Sequence, residues 1–278
     1  MKKIRYYNDD IEKYFTDNVL SDAKKQSDLS SFGLESERKK FFVEYKKYFD
    51  KNTLEQLTLS PLTYDKNKTD TPDNYYYNLY NSRITSKLLD ELTTDQNDER
   101  ESSLCPSCQI GEAEALDHYV PRSEYPYFSM NPINLIPICA KCNSKKKDKW
   151  RENGKRLFVN FYLDSVPIEQ FLFVKLLNIT NNKPHFKYYL QKPDNMSQDV
   201  YDLFNSHFTR LGLLRKYDKK QNSTYNDLVD EIRPGDKKKD IQEWINKEIK
   251  KYGYNNFKIT LWDFCINDPI ICKILNLV

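Results

Sequence analysis

Apolar residues recur every three or four positions over several long stretches of this chain, the period of a helix that buries one face. Behind the capping pair Asn8-Asp9 stand Ile11, Tyr14, Phe15 and Val19; behind Ser36 stand Phe41, Phe42, Tyr45, Tyr48 and Phe49, with Lys39, Lys40, Glu44, Lys46 and Lys47 on the opposite side. The aromatic stripe is read as core packing and not as a base-stacking platform, because it follows one helical face. Thr53 to Leu59 adds a turn or two before Ser60-Pro61. From Asn74 the series Tyr77, Tyr80, Ile84, Leu88 and Leu92 predicts a further helix, opened by Pro72-Asp73, and the stretch TTDQNDERESS is a polar linker leading towards Cys105.

The second half reads similarly, with one interruption. LFVNFYL (157–163) and FLFVKLL (171–177) are short apolar runs suited to buried strands, and Asn181-Asn182 predicts a hairpin turn after the second. Ser197 is placed to cap a helix with Val200, Leu203, Phe204, Phe208 and Leu211 inward, stopped near Gly212. His185 reads as a strand residue and His207 as a partly buried core residue. Helices are expected over 213–232, with Tyr217, Leu228, Val229 and Ile232 inward, and around Ile241, Trp244, Ile245 and Ile249, ended by Gly253. Asp268 and Pro269 open a last apolar helix, with Cys265 and Cys272 as buried free thiols. This tail either docks into the C-terminal region or makes a dimer contact.

Composition sharpens the class. Only 6 glycines among 278 residues argue against a turn-rich all-β chain. No run of eighteen apolar residues exists, and MKKIRYYNDD lacks the apolar core of a signal peptide, so the expectation is a cytoplasmic protein with no membrane span. The net charge is +3, but eight Lys or Arg against two acids between Lys141 and Arg156 give that segment +6 and leave −3 for the rest. Positive charge is therefore focused in one place.

That place adjoins the chain's most specific pattern, CPSCQIGEAEALDHYVPRSEYPYFSMNPINLIPICAKCN. Cys105 with Cys108 and Cys139 with Cys142 are two C-x2-C knuckles, a spacing suited to tetrahedral zinc; disulfides are the disfavoured alternative in a reducing compartment. Four thiolates leave zinc no open position, so that zinc is structural. About thirty residues separate the knuckles, more than the fifteen to twenty of a common zinc ribbon. The excess holds Asp117-His118 and Asn134, with Asn143 just beyond, a donor set suited to a hard divalent cation beside a general base.

LDHYVPRS, NPINLIPICAKCN and SKKKD resemble the HNH nuclease family in its zinc-stapled bacterial form, over about forty-five residues. The resemblance implies a central ββα-metal unit, two short antiparallel strands and a helix gripping one catalytic metal, within a mostly α chain that has a few short strands after it, an α+β fold. The expected organisation is a helical region over 1–100, the nuclease unit over 101–156 and a mostly helical region with a hairpin over 157–278. By motif position His118 matches the first H, Asn134 the central N, and Asn143 the place of the last H, an H-N-N variant. The residue before the first histidine supplies a metal oxygen in that family, which makes Asp117 and Asn143 the ligands of Mg2+ or Mn2+ and His118 the base. Asn134 would orient His118 or hold the loop. Successive strand residues point to opposite faces, so Asp117 and His118 share one phosphate only if the strand ends or twists there.

A helix from Ser144 to Arg151 would point its N-terminus at the site, with Lys145, Lys146, Lys147, Lys149 and Arg151, and more weakly Arg122, contacting phosphate. The implied activity is hydrolysis of DNA phosphodiesters leaving 3′-hydroxyl and 5′-phosphate ends. Large flanks on such a unit are similar to anti-phage nucleases of the Septu or retron-associated kind, often partnered with an ATPase. The competing reading is a non-catalytic zinc module that binds nucleic acid or a protein.

Overall fold

In a computed structural model the described residues are Tyr77, Tyr80, 82–94 and 103–277. The helices expected at 8–19, 36–49 and 53–59 lie outside them. Helix α1 (Ser82–Thr94) buries Leu88 and Leu92, and Tyr80 precedes it in non-helical backbone.

Strands β1 (Ala115–His118) and β2 (Leu135–Ile138) pair antiparallel, with Asp117 opposite Ile136 and His118 opposite Leu135. The loop between them makes two 3-10 turns, Pro126–Phe128 and Pro132–Asn134. Each opens on a proline whose fixed φ suits a first helical position. Helix α2 (Ala140–Lys146) follows β2 with only Cys139 between. It starts four residues before the expected Ser144 and stops at Lys147, whose φ is +51. The reason is the second knuckle: Cys142 and Asn143 both donate their backbone N–H to the Cys139 carbonyl, each at 3.0 Å, so the knuckle is itself the first helical turn. Arg151 lies in a different element, since β3 (Arg151–Glu152) pairs with β4 (Lys155–Arg156) around Asn153-Gly154.

The apolar run at 157–163 is buried as expected but forms no strand. Asn160 sits in its middle and competes with any ladder: its Oδ1 accepts from Tyr162 N at 3.0 Å and Leu163 N at 3.3 Å, and its own N–H donates to Asp164 at 2.8 Å. Asp164 in turn takes both ends of the Arg156 guanidinium, at 2.7 and 2.8 Å, in a buried pair. The second run does form β5 (Leu172–Thr180), antiparallel to β6 (Lys183–Leu190). Asn181 and Asn182, at φ +51 and +59, make the turn between them.

Five helices complete the chain: α3 (Gln198–Leu211), α4 (Leu213–Glu231), α5 (Lys238–Tyr252), α6 (Phe257–Asn267) and α7 (Pro269–Ile274). Ser197 caps α3, Gly253 ends α5, and the Asp268 carboxylate accepts from Ile270 N and Ile271 N at the start of α7. Tyr217 and Leu228 face inward on α4, whereas Val229 is 40% exposed, one step round the helix from the buried stripe. Cys265 and Cys272 are buried free thiols, the latter donating to the Ile266 carbonyl at 3.0 Å. Leu275 and Leu277 are buried, so the tail docks on its own chain. These elements form an α+β fold around a core continuous from Leu88 to Leu277, and no helix among the described residues is long and apolar enough to cross a membrane.

His207 lies deep in this core, between the rings of Phe158 and Phe161, and its Nδ1 accepts from Val159 N at 3.3 Å. Burial holds its pKa down at about 4, against about 6.5 when unfolded. The unfolded chain thus gains a proton that the folded chain refuses between those values. Stability from this residue is complete above pH 6.5 and is lost as pH falls towards 4, about 3 kcal/mol over the window. Denaturant titrations at pH 7 and pH 4.5 should show a smaller acid loss for His207→Gln, which keeps an acceptor for Val159 without a titrating ring.

Candidate functional site

The four knuckle cysteines are buried and their sulfurs lie within 4.8 Å of one another, with Cys108 Sγ and Cys139 Sγ 3.7 Å apart. A disulfide would need about 2.05 Å. Sulfurs about 2.3 Å from a central zinc stand about 3.8 Å apart along a tetrahedral edge. The set fits one structural zinc and not two disulfides. Backbone turns bring the first knuckle round: Cys105 N donates to Gly111 O at 2.8 Å and Gln109 N to Cys105 O at 2.8 Å. Gly111 suits the close approach there, because a Cβ would stand 3.1 Å from Cys139 Cβ and 3.3 Å from its sulfur, so Cys139 would have to shift by a few tenths of an ångström. On the far side the Lys216 ammonium of α4 donates to Cys142 Sγ at 3.0 Å, a charge-assisted bond to a thiolate ligand. Among the described residues no second group of three or more His, Cys, Asp or Glu converges in this way.

On the adjoining strand pair, Asp117 and His118 take opposite environments. Asp117 is buried against α2, its Oδ2 2.9 Å from the Lys146 ammonium. Burial pushes its carboxyl up to about 6, with Lys146 pulling the other way. His118, part-buried at the end of β1, has Nε2 2.9 Å from the Ser129 carbonyl. A carbonyl only accepts, so Nε2 carries the proton and Nδ1 keeps its lone pair, with no hydrogen-bond partner among the described residues. Burial lowers the imidazole pKa to about 3, with Ser129 opposing and Arg122 and Lys146 adding to the fall. The Tyr80 ring lies 4.4 Å from the His118 ring, and its hydroxyl donates to Leu116 O at 2.9 Å.

Asn134 is fully buried and holds the loop. Its Oδ1 accepts from Val120 N at 2.8 Å, while Nδ2 donates to Val120 O at 3.1 Å and Phe128 O at 3.0 Å. These bonds draw the chain just after His118 against the turn before Ser129, which sets the distance at which Ser129 meets the imidazole. Asn143 is partly buried on α2, three residues before Lys146 and so on the same helical face. Its side chain makes no hydrogen bond among the described residues.

The basic run divides. Lys147 and Lys149 are exposed. Lys146 is 4% exposed and committed to protein oxygens. Lys145 donates to the Leu211 carbonyl at the end of α3, at 2.7 Å, and Gly212 next to it leaves room: a Cβ there would stand 2.6 Å from the ammonium. Arg151 stacks over Trp150 at 4.7 Å and donates to Tyr125 Oη at 3.3 Å. Arg122 lies over the Tyr77 ring at 4.2 Å and donates to its carbonyl at 3.1 Å. With α2 beginning at Ala140, its N-terminus belongs to the zinc knuckle. Four participants escaped the sequence reading: Lys146 as partner of Asp117, the Ser129 carbonyl, Tyr80 and Lys216. The i, i+3 spacing of Asn143 and Lys146 would have signalled the first once the helix start was known; the other three are long-range.

Protein ea31 of Escherichia phage lambda is 30% identical to this chain over 117 residues, 41% of this chain and 39% of that protein. The match thus spans well under half of that relative. No family model and no solved structure matches.

Elemental analysis of the folded chain should give one zinc per molecule, and Cys139→Ser should lose it. Because Lys145 and Lys216 tie α3 and α4 to the knuckle, the C-terminal helices should melt in the same transition as the central unit, read by circular dichroism. Asn134→Ala leaves the buried Val120 N–H and carbonyl unpaired, while Phe128 O keeps Asn131 N, and should cost roughly 2–4 kcal/mol in chemical denaturation, with zinc retained.

Proposed function

We propose that the chain is an HNH-type endonuclease that hydrolyses DNA phosphodiester bonds, with His118 as general base. The observation that carries this reading is the imidazole itself: at the end of a strand in a zinc-stapled ββα unit, one nitrogen is pinned to Ser129 O and the other is left with an open lone pair. That is the form in which a base takes a proton from water. A pKa near 3 is low for the task, but the negative charge of a phosphodiester beside the ring favours the imidazolium and moves it towards neutrality. Asn134 acts at one remove by fixing the loop that carries Ser129.

Asp117 and Asn143 are the residues that would hold Mg2+ or Mn2+, and hard oxygen donors on facing elements suit such an ion. Bound there, it would neutralise charge on a phosphate oxygen. Asp117 Oδ2 is buried and already holds a cation, the Lys146 ammonium at 2.9 Å, without an aligned hydrogen bond, which supports a cation site. Lys147 and Lys149 are exposed and their ammonium groups meet no protein partner among the described residues, which leaves them to contact backbone phosphate.

A second reading, a non-catalytic zinc-stabilised module that binds nucleic acid or a protein, draws on one observation: Lys146 already neutralises Asp117. Supercoiled plasmid, linear duplex, single-stranded DNA and structured RNA, each with Mg2+, Mn2+ or chelator, separate the two. The nuclease reading expects metal-dependent cutting of DNA that falls by about 10²–10⁴ in His118→Ala with zinc content intact. No cutting of any substrate by zinc-loaded protein returns the chain to the binding module.

A further inference from the structure

Three oxygens close on one ammonium beneath β1. Lys146 Nζ lies 2.9 Å from Asp117 Oδ2, 2.8 Å from the His118 carbonyl and 3.4 Å from the Lys147 carbonyl. The two paired side chains are only 5% and 7% exposed, and the Phe158 ring, its centroid 6.0 Å from Nζ, bounds the site further out. A carboxylate and two carbonyls are the donor set of a hard-cation site, here filled by a cation on a tether. Asp117 Oδ2 accepts no aligned hydrogen bond, so the carboxylate is held by charge and not by a directed donor. The third oxygen comes from Lys147, a non-glycine residue at φ +51, a conformation that persists only where the surroundings impose it. A cavity of about 10 Å³ lined by Asp117 and Lys146 adjoins the cage, with room for one water.

We propose that Lys146 is the resident cation of this cage and sets its affinity for divalent metal: the ammonium must leave before an ion can reach Asp117, and without the amine the cage becomes a divalent site completed by Asn143. This rests on the reading of Asp117 and Asn143 as metal ligands. The geometry states what must change. Oxygens at 2.8 and 2.9 Å stand roughly 0.7 Å outside the shell of an ion with 2.1 Å bonds, so β1 and α2 must close slightly around it. Charge states the direction, since an ion entering beside an ammonium meets repulsion and a carboxylate already neutralised.

The test is Mn2+ binding to the zinc-loaded full chain, read as loss of the free-ion paramagnetic resonance signal, for wild type, Lys146→Met, Lys146→Gln, Asp117→Asn and the double variant Lys146→Met/Asp117→Asn. Lys146→Met and Lys146→Gln should each bind one Mn2+ at least tenfold more tightly than wild type. Asp117→Asn and the double variant should bind none. If removal of the amine leaves Lys146→Met unfolded, Lys146→Gln retains donors for the two carbonyls, and Mn2+ should raise its melting temperature by more than that of wild type. Equal or weaker Mn2+ binding by both Lys146 variants overturns the proposal. Plasmid cleavage by the same proteins separates the two ideas. A gain in Mn2+ affinity with no cutting in any variant sinks the nuclease reading and leaves the assignment of Lys146 standing; cutting by wild type with no gain in affinity does the reverse.

Discussion

Everything near the candidate site depends on where two cysteine knuckles cross. About thirty residues lie between Cys108 and Cys139, and a loop of that length has many conformations to lose before its ends meet. Four buried cysteines with their sulfurs within 4.8 Å of one another, a set that could hold one zinc, close it at one point. The consequences run outward from there. The second knuckle doubles as the first turn of α2, so its position fixes the register at which Lys146 faces β1. Lys216 on Cys142 brings α4 to the same point, and Lys145 on the Leu211 carbonyl brings the end of α3. A zinc bound by four thiolates would carry a formal charge of −2, and the half-buried Lys216 ammonium, 3.0 Å from Cys142 Sγ, would offset part of it.

Two neighbouring residues on β1 show how a strand separates chemistries. The pleat sends Asp117 into the interior against α2 and His118 towards Ser129 and Tyr80. Burial then acts on both in the same sense, towards the neutral form, which raises the acid and lowers the base. The strand ends at His118, which permits the imidazole to turn away from the ladder, and the Asn134 amide replaces the missing ladder bonds for the nearby Val120.

Much of this was legible in the sequence where one local rule governed. The convergence of the four cysteines followed from knuckle spacing, and α3 from Ser197 and Gly212, the β5–β6 hairpin from Asn181-Asn182, and α7 from Asp268-Pro269, because a cap or a turn residue decides each of these boundaries. Errors arose where two rules competed. At 157–163 the apolar run argued for a strand and Asn160 for a turn, and buried hydrogen bonds to Asp164 and from Tyr162 decided for the turn. The helix expected from Ser144 had already begun at Ala140, because the second knuckle is its first turn. The partners of Asp117 and His118 are distant in the chain: Lys146 lies 29 positions on, legible only once the start of α2 is known, and Ser129 comes from the loop.

The basic run illustrates the difference between formal and available charge. Between Lys141 and Arg156 the sequence carries +6. In the fold, two of those positive charges meet buried acids from outside the run, Lys146 on Asp117 and Arg156 on Asp164. The field that a polyanion would meet is therefore nearer +4, and it comes from exposed Lys141, Lys145, Lys147, Lys149, Arg151 and Lys155 against Asp148 and Glu152. Glu152 is itself drawn towards Arg210 of α3 by a 2.6 Å ion pair, which adds one more positive charge at the same edge. A patch of this size steers an anion to the surface without gripping it. Under the nuclease reading, discrimination between one phosphodiester and another would then come from shape and from the few polar groups around His118, where the local charge is set by pairs that burial has already balanced.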